Sequence, residues 1–251
     1  MATFVLIHGM FHGGWCWDKV KAGLEADGHK VYAPDLAGCG KDKTPPMEVT
    51  LQRWTDDLAA LLGGIDGKVV LLGHSRGGLP ISQVAEAVPE KIAALVYLTA
   101  LMLPNGKAAM HMAEIGAEAG IELQMGLIQP RPNADGTALI PNEGADDIFY
   151  GDCSAEDRAW AIPQVGHEPM IPLGTPVSLT PERYGSISRI YIETTLDRTL
   201  PINNQRAMIA VSKPTEVITF ECDHMPNVTH VPELVAALED IAARYAAPVP
   251  A

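Results

Sequence analysis

Short apolar runs alternate with longer amphipathic stretches over the first hundred residues of the chain. The run Thr3–His8 predicts a strand that is buried on both faces. Further on, four apolar residues recur at spacings of three and four and so share one helical face: Leu51, Trp54, Leu58 and Leu61. Strands and helices in alternation predict an α/β fold with a mostly parallel sheet and helices on both faces, that is, a doubly wound sheet.

The pattern predicts six strands, at Thr3–His8, Lys30–Pro34, Lys68–Leu72, Ile92–Leu98, Arg189–Ile192 and Val217–Glu221. The other predicted helices are Trp17–Ala26, Leu79–Ala87, Pro201–Val211 and Pro232–Tyr245. Residues 104 to about 186 interrupt this rhythm with several prolines and methionines. That segment is too long for a loop, so we expect a mainly helical cap inserted into a single domain of residues 1–251.

The charge balance excludes several classes of partner. The 251 residues include 18 Lys and Arg against 31 Asp and Glu, a formal net charge of −13. Without a basic cluster to neutralise phosphates, we expect neither nucleic acid nor an anionic membrane as a partner. The first residues lack the basic region of a secretory signal, and no window is apolar over 18 residues. We therefore expect a cytoplasmic protein.

The four cysteines, Cys16, Cys39, Cys153 and Cys222, are scattered through the chain. They form no Cys-x-x-Cys pair and no cluster with histidine at the spacing of a zinc site. The sequence therefore predicts neither a disulfide framework nor a metal site.

The chemistry is concentrated at Gly73-His74-Ser75-Arg76-Gly77, which matches Gly-x-Ser-x-Gly. The motif follows a predicted strand directly and precedes a predicted helix directly. In that context the two glycines permit a strained strand-to-helix turn that exposes the serine hydroxyl above the sheet. We therefore predict that Ser75 is a nucleophile.

A serine nucleophile needs a histidine base and a carboxylate that orients the histidine, and in this fold they follow in the order Ser, acid, His. Among eight histidines, only His224 lies just beyond the last predicted strand. Asp197 follows the preceding strand and is the predicted acid. Glu193 is still within that strand, and Asp223 is adjacent to His224 and poorly placed to face its ring.

The oxyanion of a tetrahedral intermediate needs two backbone donors. The predicted donors are the amides of Arg76, which follows the nucleophile, and of Met10, in the glycine-rich loop after the first strand. The Arg76 side chain is unusual at a position that is often apolar, and the sequence does not identify its partner. Four apolar residues are predicted to bind substrate, although plain core positions would fit them as well: Phe11, Met102, Trp160 and Met225.

Several segments together resemble the plant methylesterase and hydroxynitrile lyase branch of the α/β-hydrolases. They are His8–Trp17, Cys153–Asp157, Glu182–Ser186 and Asp223–Met225, in register over nearly the whole chain. The resemblance implies a six-stranded α/β-hydrolase sheet whose first strand lies beside the second and third. It also implies the triad Ser75, Asp197 and His224, a mechanism without cofactor, and a pocket under a small helical cap.

The two chemistries of that branch differ at two positions. Its lyases carry Thr where this chain has Gly9, and Lys where it has Met225. Because a departing cyanide would find no ammonium beside His224, the residues favour an esterase. The substrate class predicted is a hydrophobic or aromatic small-molecule ester, with methyl and pyrethroid-like esters both included. A hydroxynitrile lyase and a ligand-binding receptor are the alternatives, and the oligomeric state, a homodimer included, stays open.

Overall fold

The computed structural model describes residues 1–128, 131–140 and 142–246. The strands in these ranges are β1 (Thr3–Ile7), β2 (Lys30–Tyr32), β3 (Val69–His74), β4 (Ile92–Leu98), β5 (Arg131–Pro132), β6 (Thr137–Leu139), β7 (Glu168–Pro169), β8 (Arg189–Thr194) and β9 (Glu216–Phe220). The α-helices there are α1 (Asp18–Ala26), α2 (Leu51–Gly63), α3 (Gly78–Ala87), α4 (Met112–Ala119), α5 (Asn142–Phe149), α6 (Ala155–Ala161), α7 (Ile171–Gly174), α8 (Ile202–Ser212), α9 (Pro226–Thr229) and α10 (Val231–Tyr245).

A six-stranded sheet in the order β2-β1-β3-β4-β8-β9 forms the centre of the molecule. Every neighbouring pair in it is parallel. Between strands the chain therefore returns through helices from the carboxyl end of one strand to the amino end of the next, as parallel pairing requires. The predicted fold class, a doubly wound six-stranded sheet with β1 between β2 and β3, is confirmed.

Successive side chains of a strand point to opposite faces, and the four inner strands are buried on both. In β1, Phe4 and Leu6 pack in the cluster that includes side chains of α1 and α10. Val5 and Ile7 pack in the other cluster, with α2, α3 and α8. All four side chains are fully buried, and each contributes roughly 1.5–3 kcal/mol of transfer free energy.

The predicted strands lie where the pattern places them, with shifted ends. β3 continues through Gly73 to His74, and β8 continues to Thr194, each two residues beyond the predicted end. β2 ends earlier, at Tyr32. The apolar pattern stops where a strand meets polar residues, whereas backbone pairing continues through them, as in the pair Gly73 and Tyr97.

Between β4 and β8 the described residues contain helices α4 to α7 and a second, small sheet. This sheet has the order β5-β6-β7 and is antiparallel. The sequence predicts a mainly helical segment with no clear strand here, since strands of two or three residues are too short to show alternation. Pairing of β6 with β7 places Ala138 opposite Glu168. Within the described ranges, no helix combines the length and apolarity that crossing a membrane requires.

Candidate active site

Four strands deliver polar residues to one edge of the central sheet. Ser75 follows β3, Thr99 follows β4, Asp197 follows β8 and His224 follows β9. The four strands are neighbours and parallel, so their carboxyl ends meet at the same edge. In an open α/β sheet this edge is where ligands bind. The structure thus brings the three predicted catalytic residues to one place.

The turn that carries Ser75 is tight and strained. Ser75 has a φ of +53°, in the left-handed region, which is costly for a residue with a side chain. A Cβ at Gly73 would lie 2.5 Å from the carbonyl oxygen of Gly77, and one at Gly77 would lie 2.7 Å from that of Ile7. The glycines at both ends of the motif are therefore needed for the turn itself. The strain concentrates at the residue predicted to react.

The carboxylate of Asp197 is buried and fully engaged by donors. Its Oδ2 lies 2.6 Å from His224 Nδ1 and accepts the Thr99 hydroxyl at 2.6 Å. Its Oδ1 accepts the backbone N–H groups of Thr199 at 2.7 Å and Leu200 at 2.8 Å. Burial alone would raise the pKa of Asp197, but the His224 charge and these hydrogen bonds lower it below the ordinary value.

His224 binds the acid through one ring nitrogen, and the other has no partner within the described ranges. With Nδ1 facing Asp197, Nε2 has no hydrogen-bond partner among the described residues, although the ring is buried. The backbone oxygen of His224 accepts a hydrogen bond from His74 Nε2 at 2.7 Å. His74 precedes Ser75, so this bond ties the loop after β9 to the turn after β3.

The two other acidic residues that the sequence considered are engaged elsewhere. Glu193 pairs with Arg206, whose Nη2 lies 2.9 Å from Oε1. Asp223 accepts the backbone N–H of Met225 and the hydroxyl of Thr229. Asp197 is the residue that the structure brings to His224 Nδ1.

The loop after β1 lies against the nucleophile turn. A Cβ at Gly9 would lie 2.9 Å from Ser75 Cβ and 3.0 Å from His74 Nδ1. Gly9 is therefore required for this close approach. Phe11, in the same loop, has a φ of +64°, a second strained residue at this edge. Met10, the predicted donor, lies between these two residues.

Hydrogen bonds fix the peptide groups of this loop. The Gly9 carbonyl oxygen accepts Arg76 Nη2 at 3.0 Å and lies 2.9 Å from His8 Nδ1. The Met10 oxygen lies 2.6 Å from His12 Nδ1. A carbonyl oxygen only accepts, so Nδ1 carries the proton on both rings. Burial lowers the pKa of His12 to about 4, although the hydrogen bond to Met10 opposes this shift. The His12 ring is therefore neutral above this pH.

The partner of Arg76, which the sequence left open, is Glu168. Arg76 Nε donates to Glu168 Oε1 at 2.8 Å, and both side chains are entirely buried. Burial raises the pKa of Glu168, an effect that Arg76 and the Phe11 N–H oppose. Glu168 lies in β7, 92 residues beyond Arg76, and no motif marks it. A second residue missed by the sequence, Thr99, has a signal that could have found it, because it directly follows a strand of the sheet.

The predicted substrate-binding residues divide into two groups. Phe11 and Met225 are buried in one apolar cluster with Phe149. Trp160 is half-buried at the margin of this cluster. Met102 instead packs in the core beneath α2, α3 and α8, fully buried, and its backbone oxygen accepts the Ser212 hydroxyl. The structure therefore assigns Met102 to the core.

The site is nearly closed to solvent, with Ser75 8% exposed. Two open cavities lie beside other residues, one of about 480 Å³ at Tyr184 and Arg189 and one of about 320 Å³ at Asp152 and Asp223. Neither is lined by Ser75. In the part of the chain that the structure describes, no group of three His, Cys, Asp or Glu could hold a metal ion.

Comparison with known proteins is consistent with this geometry. A family model described as "Alpha/beta hydrolase family" matches residues 4–238. Methylesterase 7 of Arabidopsis thaliana is 36% identical over 252 residues, which cover 97% of each chain.

Two solved structures are also similar over nearly the full length. Tomato methylketone synthase I, complexed with 2-tridecanone, has a TM-score of 0.82 at 29% identity, with 97% of this chain and 98% of that chain covered. A pyrethroid hydrolase has a TM-score of 0.81 at 29% identity, with 98% and 99% covered. Proteins with different names therefore have folds similar to that of this chain.

Proposed function

This chain belongs to the alpha/beta hydrolase family and is an ester hydrolase, and we propose that Ser75, His224 and Asp197 catalyse its reaction through an acyl-enzyme. The observation that carries this proposal is the His224 ring, with Nδ1 held 2.6 Å from Asp197 Oδ2 and Nε2 left without a protein partner. An imidazole in that arrangement is available to accept a proton.

In the first half of the reaction, Ser75 Oγ attacks the carbonyl carbon of the ester, and its proton passes to His224 Nε2. The carbonyl oxygen becomes an oxyanion, which accepts hydrogen bonds from the backbone N–H groups of Met10 and Arg76. The tetrahedral intermediate then expels the alkoxide, which takes the proton from His224 and leaves as an alcohol. Ser75 is left as an ester of the acyl group.

In the second half, His224 Nε2 removes a proton from a water molecule that attacks the acyl-enzyme. The same backbone donors hold the second oxyanion, and Ser75 regains its proton as the carboxylic acid departs. Asp197 stays ionised throughout, consistent with its lowered pKa, and stabilises the imidazolium that forms twice. No cofactor enters these steps.

The substrate that suits this site is a hydrophobic or aromatic ester. The apolar side chains of Phe11, Phe149 and Met225 belong to one buried cluster, and the Phe149 ring lies 6.2 Å from the His224 ring, which favours apolar groups. Met225 places no ammonium beside His224, and this supports ester hydrolysis over cyanohydrin cleavage. The names of Methylesterase 7 and of the pyrethroid hydrolase support methyl esters and pyrethroid-like esters as the first candidates.

Two finer assignments belong to the same proposal. Residues 104–186 serve as a cap that covers the substrate, supported by their position between β4 and β8 and by the low exposure of Ser75. The cytoplasm is the compartment, which the four buried free cysteines support because thiols stay reduced there. Cell fractionation tests the second assignment.

The experiment that tests the mechanism is covalent trapping combined with turnover. A fluorophosphonate should add to Ser75, and peptide mass spectrometry should find the adduct on that residue alone. Ser75→Ala should abolish labelling and lower hydrolysis of p-nitrophenyl acetate by roughly 10³-fold or more. Ser178→Ala, at an exposed serine, is the matched control. Full activity in Ser75→Ala would overturn the nucleophile assignment, and absence of turnover in the parent would favour a receptor.

A further inference from the structure

Two charged side chains, Arg76 and Glu168, are paired without any exposed surface. Their contact is bidentate, with Nε 2.8 Å from Oε1 and Nη2 3.3 Å from Oε2. The guanidinium also lies over the Trp54 ring, 4.3 Å from its centroid. Burying two charges costs free energy that such a pair barely offsets. Stability alone therefore gives no reason for these residue types here.

The same two side chains hold consecutive peptide groups of the loop after β1. Arg76 Nη2 donates to the Gly9 oxygen, and Glu168 Oε2 accepts the Phe11 N–H at 2.9 Å. Because a peptide group is planar, its C=O and N–H point in opposite directions. Fixing the Gly9 oxygen therefore fixes the direction of the Met10 N–H, which belongs to the same peptide.

The backbone of Phe11 is strained and needs such a tie. Its φ of +64° lies in the left-handed region, where residues other than glycine persist only if their surroundings hold them. The hydrogen bond from the Phe11 N–H to Glu168 is one such restraint. The Met10 oxygen, which belongs to the same peptide group as the Phe11 N–H, accepts a hydrogen bond from His12. Within this stretch, the Met10 N–H donates no hydrogen bond to any of the described residues.

We propose that Arg76 and Glu168 are positioning residues that aim the Met10 N–H at the oxyanion. Arg76 has two functions in this arrangement, since its own backbone N–H is the other donor and its side chain orients the first. The inference rests on the proposed function. It assigns a role in transition-state stabilisation to a glutamate that lies in β7, outside the central sheet.

Neutral double variants separate this role from the cost of an unpaired charge. Arg76→Leu/Glu168→Leu removes both charges and both hydrogen bonds that these two side chains make to the loop. Arg76→Leu/Glu168→Gln is equally uncharged, but the amide oxygen still accepts the Phe11 N–H. Arg76→Lys keeps the charge opposite Glu168 and loses the fork that reaches the Gly9 oxygen.

The expected results follow from an effect on the transition state. In Arg76→Leu/Glu168→Leu, kcat for p-nitrophenyl acetate should fall about 10- to 100-fold while KM changes by less than about threefold. Affinity for a trifluoromethyl ketone, which forms an oxyanion on Ser75, should fall in parallel, whereas affinity for the matching methyl ketone should not. Arg76→Leu/Glu168→Gln should recover at least about threefold of the lost kcat.

Leu238→Ala is the control for destabilisation, since Leu238 is buried on the opposite face of the sheet with α10. It should lower the urea midpoint and leave kcat within about twofold of the parent. A folded Arg76→Leu/Glu168→Leu variant with kcat and ketone affinities of the parent would overturn the inference. So would a loss of kcat that Leu238→Ala reproduces at the same urea midpoint. A parent without Ser75-dependent turnover would instead overturn the proposed function, and this role with it.

Discussion

The Thr99 hydroxyl donates a 2.6 Å hydrogen bond to Oδ2 of Asp197, the same oxygen that faces His224 Nδ1. Thr99 adopts a φ of +37°, which is strained for a β-branched residue. Thr99 directly follows β4, and its side chain reaches the acid from this strained position. Thr99 therefore orients the carboxylate that orients the histidine.

Replacing Thr99 with Val should lower kcat/KM for p-nitrophenyl acetate by about tenfold. Valine keeps the shape of threonine but leaves one lone pair of Asp197 Oδ2 without its donor, which weakens the fixed orientation of the acid. Thr99→Ser retains the hydroxyl and should stay within about threefold of the parent. Equal losses in the two variants would mean that the methyl group, not the hydrogen bond, matters.

The lowered pKa of Asp197 predicts a pH dependence of stability. A carboxyl whose pKa is lower in the folded state contributes stability above its unfolded pKa of about 3.9, and the contribution is lost as pH falls through the folded pKa. The difference in the free energy of unfolding between the parent and Asp197→Asn, measured with urea, should therefore be constant above about pH 4 and should shrink as pH falls below it. Parallel curves from about pH 2.5 to 6 would contradict the shift.

Gly9→Ala should impair catalysis through a steric effect. The added Cβ would lie 2.9 Å from Ser75 Cβ and 3.0 Å from His74 Nδ1, closer than real contacts allow. We expect kcat to fall by more than about tenfold, because a displaced nucleophile loses its alignment. Gly63→Ala has open space around its Cβ and should leave kcat unchanged. Full activity in Gly9→Ala would show that the loop and the turn can separate without consequence.

Met102 and Trp160 should respond differently to truncation. Met102→Ala removes a fully buried core side chain and should lower the free energy of unfolding by about 2–5 kcal/mol without changing the preference among esters. Trp160→Ala, at the margin of the apolar cluster, should change the ratio of kcat/KM for aryl and methyl esters with a smaller effect on stability. A changed preference in Met102→Ala would return Met102 to the substrate site.

Met225→Lys tests the choice between esterase and lyase. An ammonium at this buried apolar position would lie beside His224 and should lower ester turnover, while cyanide release from mandelonitrile rises above the parent's background. Combination with Gly9→Thr would add a hydroxyl near Ser75, at the steric cost already described for Gly9. Cyanide release by the parent at a rate that rivals its best ester would contradict the ester hydrolase assignment.

Residues that follow strands could be predicted from the sequence, and residues set by tertiary contacts could not. Ser75, Asp197 and His224 each come after an apolar run, and the Gly-x-Ser-x-Gly motif with the chain order Ser, acid, His predicts that they meet. Thr99 also follows an apolar run, so the same rule could have predicted its position. Glu168 could not be predicted in this way, because β7 has two residues and its pairing with β6 leaves no periodic pattern.

The fold shows the same division. The inner strands could be predicted because each buries both faces and leaves a continuous apolar run, and the resemblance to the α/β-hydrolases implied that the first strand lies beside the second and third. The small antiparallel sheet could not be predicted, and neither could the position of Met102. The apolar side chain of Met102 suits a pocket and a core equally, and only its tertiary contacts decide between them.

The pairing of Arg76 with Glu168 has a consequence for how proteins of this type can be recombined. A chimera that received residues 104–186 from a relative with a neutral side chain in place of Glu168 would keep a buried guanidinium without its counter-charge. The reciprocal chimera would bury a lone carboxylate. Grafts intended to change substrate range should therefore carry residue 76 together with β7. The residues that have to be exchanged together are thus not continuous in the sequence.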